Sequence, residues 1–236
     1  MEAIILAGGF GTRLRAIVNE VPKPMAPIGE VPFLQLLINF WGKQGITRFI
    51  LSVGYKHEII REYFGKEFAG CEIEYVVEDK PLGTGGAVLA AIKHLKTRNS
   101  FLIVNGDTYF DVSLERIKKF HKKNNSKLTM ALFATYESDR YHLVELGSSS
   151  QVLSLNAKKK GKFANGGILL CSPSIFNNVK ADFLKPIALE NDLLAPLINK
   201  GESKIFGLNN EGIFIDIGIP EDYAKARNLL PRLIKC

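Results

Sequence analysis

The chain predicts an α/β fold: a mixed, mostly parallel central sheet flanked by helices. Two observations carry that prediction. Through the first half, short apolar runs alternate with amphipathic segments of period 3.6, the pattern of repeated βα units. The first run, Ala3-Ile4-Ile5-Leu6, stops abruptly at Gly8, Gly9 and Gly11, as a buried parallel strand does where it delivers the chain into a ligand-binding loop. With 236 residues the chain is long enough for one sizeable core, so a single domain over 1–236 is expected.

The elements follow in order. Pro32 to Gln44 places Phe33, Leu36, Leu37, Phe40 and Trp41 on one helical face and ends near Gly45. Arg48 to Val53 reads as a strand, Lys56 to Phe64 as a helix and Glu72 to Val77 as a strand. Thr84 to Leu95 is helical, and Phe101 to Val104 is a strand ending at Asn105-Gly106-Asp107. Ser113 to Lys123 is a helix with Ser113 as its N-cap. After residue 127 the chain is richer in strands, near 127–135, 142–146, 151–156 and 166–171, with a polar loop from Ala157 to Lys162. A helix near 190–199, strands near 204–208 and 212–217, and a helix opening at Pro220 complete the same sheet and add a small strand-rich lobe.

Composition narrows the function. Hydrophobic residues make up 46% and charged residues 23%, values of an ordinary water-soluble globule, and every apolar stretch is broken short of membrane-spanning length. The chain starts directly on a strand with no signal-type segment, which predicts a cytoplasmic protein with no membrane partner. Cys71, Cys171 and Cys236 are far apart and odd in number, so neither a disulfide framework nor a zinc site is expected. Four scattered histidines argue against histidine-based metal catalysis. The net charge of +7 suits a polyanionic ligand. No interleaved basic and aromatic platform appears, so nucleic acid is not expected as a partner.

Chemistry concentrates in a few places. The loop Leu6-Ala7-Gly8-Gly9-Phe10-Gly11-Thr12-Arg13 offers backbone N–H groups to a phosphate, and Arg13 and Lys23 add two fixed cations. Its spacing fits neither the P-loop nor the dinucleotide fingerprint, and taken alone it also fits a plain strand-to-loop turn. Asp107 follows an apolar strand at the same carboxyl edge, and Asp216 sits inside the apolar Phe214-Ile215-Asp216-Ile217. Carboxylates embedded this way are costly unless paired or bound to a cation. Two of them near a phosphate loop supply hard oxygen ligands for Mg²⁺, the expected cofactor. Cations and a metal around a triphosphate point to phosphoryl or nucleotidyl transfer, chemistry that needs positioning rather than a covalent nucleophile.

The stretch from Leu6 to Arg15, with Pro22-Lys23-Pro24-Met25-Ala26-Pro27-Ile28, resembles the signature of the sugar-1-phosphate nucleotidyltransferases. Further motifs follow in the family's order: Pro81-Leu82-Gly83-Thr84-Gly85-Gly86-Ala87, Asn105-Gly106-Asp107, Asn165-Gly166-Gly167-Ile168 and Ile215-Asp216-Ile217-Gly218-Ile219-Pro220-Glu221-Asp222-Tyr223. The resemblance implies a Rossmann-like, GT-A-like domain whose nucleotide-binding half spans about 1–125 and whose acceptor-binding, metal-completing half spans about 126–236. It implies that Arg13 and Lys23 grip the nucleotide phosphates as the catalytic cations and that Asp107 and Asp216 hold Mg²⁺. Leu6, Gly8, Gly9, Gly11, Thr12, Glu78, Pro81, Gly83 and Thr84 would complete the nucleotide site. Asn105, His142, Lys158, Asn165 and Glu190 would face the sugar phosphate, with Lys159, Lys160 or Lys162 as alternatives to Lys158. His142 stands where the family commonly has glycine, and Ala157 where it has glutamate.

Glu78 stands where members that read uracil or thymine carry glutamine. A carboxylate offers acceptors only and matches the adjacent N1–H and N2–H₂ of guanine, which favours GTP; an exposed loop carboxylate is the alternative. Leu14-Arg15 and Pro24-Met25-Ala26-Pro27-Ile28 resemble most the subgroup of D-glycero-α-D-manno-heptose 1-phosphate guanylyltransferases. That subgroup makes GDP-heptose for bacterial surface glycans, and mannose 1-phosphate is the competing acceptor. A non-catalytic nucleotide-sugar sensor or partner subunit remains a reading of a different class. Homo-oligomerisation is left open.

Overall fold

The computed structural model describes residues 1–11, 13–14, 17–137, 140–141, 143–155, 162–177, 179, 184–200 and 204–234. The elements run β1 (Glu2–Ala7), β2 (Pro27–Ile28), β3 (Val31–Pro32), α1 (Phe33–Lys43), β4 (Arg48–Val53), α2 (His57–Phe64), β5 (Glu67–Phe68), β6 (Cys71–Val77) and α3 (Gly83–Ala91). They continue β7 (Phe101–Asn105), β8 (Thr108–Phe110), α4 (Leu114–Lys123), β9 (Leu128–Ala134), β10 (Leu143–Leu146), β11 (Val152–Ser154) and β12 (Phe163–Cys171). A π-helical turn, Leu189–Leu194, leads into α5 (Ala195–Asn199), and β13 (Ile205–Asn209), β14 (Phe214–Asp216) and α6 (Pro220–Ile234) close the chain. No described helix is long and apolar enough to cross a membrane.

Ten strands form one sheet with the backbone order β11-β10-β12-β7-β1-β4-β6-β5, and β9 bridges β12 to β13. Strands β7, β1, β4 and β6 are parallel neighbours, so their carboxyl ends and the loops after β1, β6 and β7 share one edge. Across β12 the sheet turns antiparallel. β12 changes partner along its length: Phe163 and Ala164 pair with β10, whereas Ile168 to Cys171 pair with β7. The change falls at Gly166-Gly167, where the register against β9 shifts and Gly167 takes φ +72. Only a residue tolerant of that left-handed backbone lets the strand split there.

Period-2 alternation divides the core into two faces. Ala3, Ile5 and Ala7 of β1 and Leu102 and Val104 of β7 meet Leu34, Ile38 and Trp41 of α1, Ile60 and Phe64 of α2 and Ile117 of α4. The opposite face, with Ile4, Phe101 and Ile103, is covered by Val88 and Ala91 of α3 and by Leu189, Leu193 and Leu194 of the π-helical turn. A third cluster joins Phe33, Leu36 and Leu37 of α1 to Ile215, Ile217 and to Tyr223, Ala226 and Leu230 of α6.

One expectation is revised. The strand near 212–217 does not complete the main sheet; β14 pairs antiparallel with β8 in a separate two-stranded ribbon. Three residues per strand are enough here because the third cluster packs Tyr109 of β8 and Ile215 of β14 against α1 and α6. Cys71 and Cys171 are buried free thiols, and burial pushes both above the usual thiol range.

Candidate active site

The ribbon brings the two distant aspartates together. Its register sets Thr108 opposite Asp216, and the backbone N–H of Ile217 donates to the carbonyl of Asp107 at 3.0 Å. Lys23 Nζ lies 2.5 Å from Asp107 Oδ2 and 3.8 Å from Asp216 Oδ1, one ammonium between two carboxylates. Lys23 is held by a 3₁₀ turn, Lys23–Met25, whose Pro24 and Met25 are buried. Prolines on both sides restrict the turn before it reaches the site. Gly11 makes the approach of Lys23 feasible: its φ is +59, and a Cβ there would stand 2.8 Å from Lys23 Cβ.

Asp216 is the more buried carboxylate, with 21% of its side chain exposed against 35% for Asp107. Burial raises its pKa above the usual carboxylate value; the neighbouring Asp107 adds to the rise, and Lys23, the Gly218 N–H and Arg140 oppose it. A carboxylate pair that raises one member and recruits a lysine is a site short of positive charge. Its hard oxygen donors fit a divalent cation of the Mg²⁺ class, which takes one or two carboxylates and fills its other positions with water and phosphate oxygens. No cluster of three or more His, Cys, Asp or Glu side chains suited to a metal occurs among the described residues.

Beside this cluster, at the carboxyl edge, opens a cavity of about 270 Å³. Ten of the residues expected from the sequence line it: Leu6 on β1, Gly8 and Gly9 in the glycine loop, Lys23 in its 3₁₀ turn, Glu78, Pro81, Gly83 and Thr84 after β6, Asn105 at the end of β7 and Asp107 just beyond it. Glu78 is fixed at both oxygens. Buried Ser52 on β4 donates its hydroxyl to Oε1 at 3.0 Å, and the Leu82 N–H donates to Oε2 at 3.1 Å. Gly8 leaves room for this carboxylate, since a Cβ on it would stand 2.5 Å from Oε1. The glycines after Pro81 serve packing as well as the cavity. Gly83, at φ +73, lies against Ile187, whose carbonyl accepts from the Gly85 N–H at 2.8 Å, and Thr84 Oγ1 accepts from the Leu189 N–H at 2.9 Å.

On the acceptor side, Asn165 sits where β12 splits. Its Nδ2 donates to Glu190 Oε1 at 3.1 Å and its Oδ1 accepts from the Gly167 N–H at 3.1 Å. Asn105 packs on Gly167, where a Cβ would come within 2.6 Å of its amide nitrogen. The strand split therefore joins Asn105, Asn165 and Glu190. Arg13 is exposed and outside the lining of the cavity. Thr12, His142 and Lys158, with Lys159 and Lys160, lie outside the described residues. Lys162 is exposed, its carbonyl accepting from the Thr135 N–H.

A second hollow of about 460 Å³ is lined in part by Asp216. It holds Arg140, which the sequence reading did not single out, beside Tyr141, the neighbour of His142, and Asp222 from the Asp216 motif. Arg140 pairs with Asp222, lies 3.9 Å from Asp216 Oδ2 and stacks over Tyr141 at 4.8 Å. Burial pushes Tyr141 up to about 12, so its hydroxyl is a neutral donor. Ser52 was equally unremarked; its one sequence signal is a hydroxyl inside the apolar run Phe49-Ile50-Leu51-Ser52-Val53.

Comparison with known proteins gives the family. The family model described as nucleotidyl transferase matches residues 2–232. The chain is 42% identical over 225 residues to D-glycero-alpha-D-manno-heptose 1-phosphate guanylyltransferase of Campylobacter jejuni, covering 94% of this chain and 97% of that protein. It is 41% identical to the enzyme of that name from Aneurinibacillus thermoaerophilus, covering 99% and 100%. The crystal structure of HddC from Yersinia pseudotuberculosis, also solved in complex with GMP-PN, is 31% identical, superposes with a TM-score of 0.83 and covers 97% of this chain and 99% of that one. A sheet edge with a glycine loop, a lysine between two aspartates and a match over nearly every residue lead to one statement: the chain belongs to the nucleotidyl transferase family.

Proposed function

We propose that the protein transfers GMP from GTP to D-glycero-α-D-manno-heptose 1-phosphate, giving GDP-heptose and pyrophosphate for a bacterial surface glycan. The observation that carries this reading is Lys23 set between Asp107 and Asp216 at the mouth of the glycine-lined cavity. The names of the relatives above 40% identity support the sugar, and the GMP-PN complex of HddC supports the base.

In this reading the glycine loop and Glu78 hold the nucleotide. Backbone N–H groups near Gly8 and Gly9 face the phosphates, Glu78 accepts from guanine N1–H and N2–H₂, and Arg13 reaches the outer phosphates. Asn105, Asn165 and Glu190 orient the sugar hydroxyls, and Lys158 or a neighbouring lysine holds the sugar phosphate, with His142 beside it. A phosphate oxygen of the sugar 1-phosphate forms a bond to the α-phosphorus while the bond from that phosphorus to the bridging oxygen breaks, and pyrophosphate leaves with the electron pair. Lys23 neutralises charge that develops on the transferring group, and no proton acceptor is required because the attacking phosphate is already anionic. Asp107 and Asp216 would hold Mg²⁺, which supplies charge neutralisation and orientation of the phosphates when bound.

The test is pyrophosphate release and product mass with GTP, ATP, CTP, UTP and dTTP against heptose 1-phosphate, mannose 1-phosphate and glucose 1-phosphate, with and without Mg²⁺. Turnover greatest with GTP, heptose 1-phosphate and Mg²⁺ is expected. Greater turnover with mannose 1-phosphate would reassign the acceptor, and tight GDP-sugar binding without turnover under any pairing would favour a sensor.

A further inference from the structure

We propose that Ser52 is a positioning residue for nucleobase selection: its buried hydroxyl, together with the space left by Gly8, locks the Glu78 carboxylate in the one orientation that presents two acceptor sites to guanine. The inference rests on the guanine reading of Glu78 given above and adds the residues that make the reading selective.

A carboxylate has about four acceptor sites, two on each oxygen. Ser52 Oγ occupies one on Oε1, and the Leu82 N–H occupies one on Oε2. One site per oxygen is left, side by side on a group that lines the cavity. This is the complement of adjacent N1–H and N2–H₂ donors. Without the two internal donors, Glu78 would sample several rotamers, and a freely turning carboxylate discriminates poorly because each partner bond must first pay for ordering it.

The two donors differ in kind. Leu82 N–H is fixed by the backbone turn that opens α3 and comes with any residue there. Ser52 is a side-chain choice, placed on β4 in register with Leu6 of β1 and Val76 of β6, and completely buried. Its position in the middle of the parallel sheet gives it no freedom of its own, so what it holds is held rigidly. The socket closes from the opposite side. Gly8 stands so near that a Cβ would meet Oε1 at 2.5 Å and the carboxyl carbon at 3.0 Å, and a Cβ on Gly54 would meet the Gly8 carbonyl at 2.9 Å. Gly8 has no positive φ, so its smallness answers to the carboxylate and not to backbone conformation.

The experiment compares kcat/KM for GTP and ITP, which lacks only the 2-amino group, in the full-length enzyme and in Ser52→Ala, Gly8→Ala and Glu78→Gln. Wild type is expected to prefer GTP. Ser52→Ala removes the donor, and Gly8→Ala pushes the carboxylate from the far side. Each should lower the GTP/ITP ratio by about tenfold, the worth of one hydrogen bond to a charged group. In Ser52→Ala, ITP turnover should change much less than GTP turnover; Gly8→Ala also alters the phosphate-facing loop, so for it the ratio alone is read. A merely structural role for Ser52 would depress both nucleotides together and leave the ratio at the wild-type value, which overturns the proposal. If Glu78→Gln lowers the ratio while Ser52→Ala and Gly8→Ala leave it intact, Ser52 is not the positioning residue although Glu78 reads the base. If wild type and Glu78→Gln share one ratio, the guanine reading itself fails and this inference falls with it.

Discussion

Arg48→Met should destabilise the fold while sparing the chemistry. The strand register places Glu2 and Glu72 on either side of Arg48, and its guanidinium pairs with Glu2, Glu74 and, at 3.1 Å, Glu72. It also donates to the His94 carbonyl at 3.0 Å. Arg48 and Glu2 have 6% and 8% of their side chains exposed, so this pair is fully desolvated, whereas Glu72 is about half exposed and its share is screened. Removing one partner of a buried pair costs about 3–5 kcal/mol because the other charge is stranded. Glu2 keeps the N–H groups of Lys96 and Thr97 as donors, which argues for the lower end, about 3 kcal/mol. For a domain of this size that is a drop of about 6–12 °C in Tm. The assay is urea unfolding of wild type, Arg48→Met and Glu72→Gln, with nucleotidyl transfer measured at 25 °C. Glu72→Gln should barely move the midpoint. The network lies at the amino-terminal end of β1, about 15 Å of strand from the glycine loop, so turnover per folded molecule should be unchanged. A midpoint shift worth less than about 1 kcal/mol, or a large loss of turnover in the folded variant, would refute the reasoning.

Lys23→Met should lower kcat by about 10²-fold or more by removing a fixed cation from the developing charge, and rapid-quench assays giving a near-wild-type rate would displace Lys23 from the reacting centre. Asp107→Asn and Asp216→Asn should each reduce turnover severely and raise the Mg²⁺ concentration needed for half-maximal rate; a normal Mg²⁺ titration in either would remove that residue from the metal site. His121, buried between Thr129 and Ser172, has its pKa lowered from 6.5 by burial, so the folded state prefers the neutral ring. With fewer protons bound folded than unfolded, the stability this provides is full above about pH 6.5 and is lost as pH falls through the lower folded value. The urea midpoint should therefore fall between pH 7.5 and 5.5, and His121→Gln should flatten that dependence; an equal slope in both proteins would contradict it.

Much of this was legible from periodicity. β1, β4, β6, β7, α1, α2 and α4 lie within a residue or two of expectation, because each is bounded by glycine, proline or a cap and repeats its apolar pattern cleanly. The β8–β14 ribbon was not, since three-residue strands carry no period and their pairing is decided by packing against α1 and α6. β12 begins at Phe163, not near 166, because Asn165-Gly166-Gly167 reads locally as a turn while tertiary pairing keeps it in the sheet. The helix expected near 190–199 opens as a π-helical turn, Leu189–Leu194, before α5. Within the site, the glycine loop and the aspartates announced themselves as misfits in apolar surroundings. Arg140 did not, because a charged residue outside an apolar run looks like ordinary surface until the fold brings it to Asp222, which the Asp216 motif already contained.

The β8–β14 ladder also sets an order of assembly. Strands β1, β4, β6 and β7, which frame the nucleotide cavity, all precede β9 in the chain, and their parallel pairing involves nothing later in it. Asp216 arrives on β14 and can join Asp107 only when that short ladder closes against α1 and α6. The groove and the carboxylate pair are thus separable events in folding, with the second resting on a contact of high sequence separation. On the proposed site, catalytic competence would then await closure of that ladder, and local opening of one small ribbon would part Asp216 from Asp107 while the rest of the sheet stays folded.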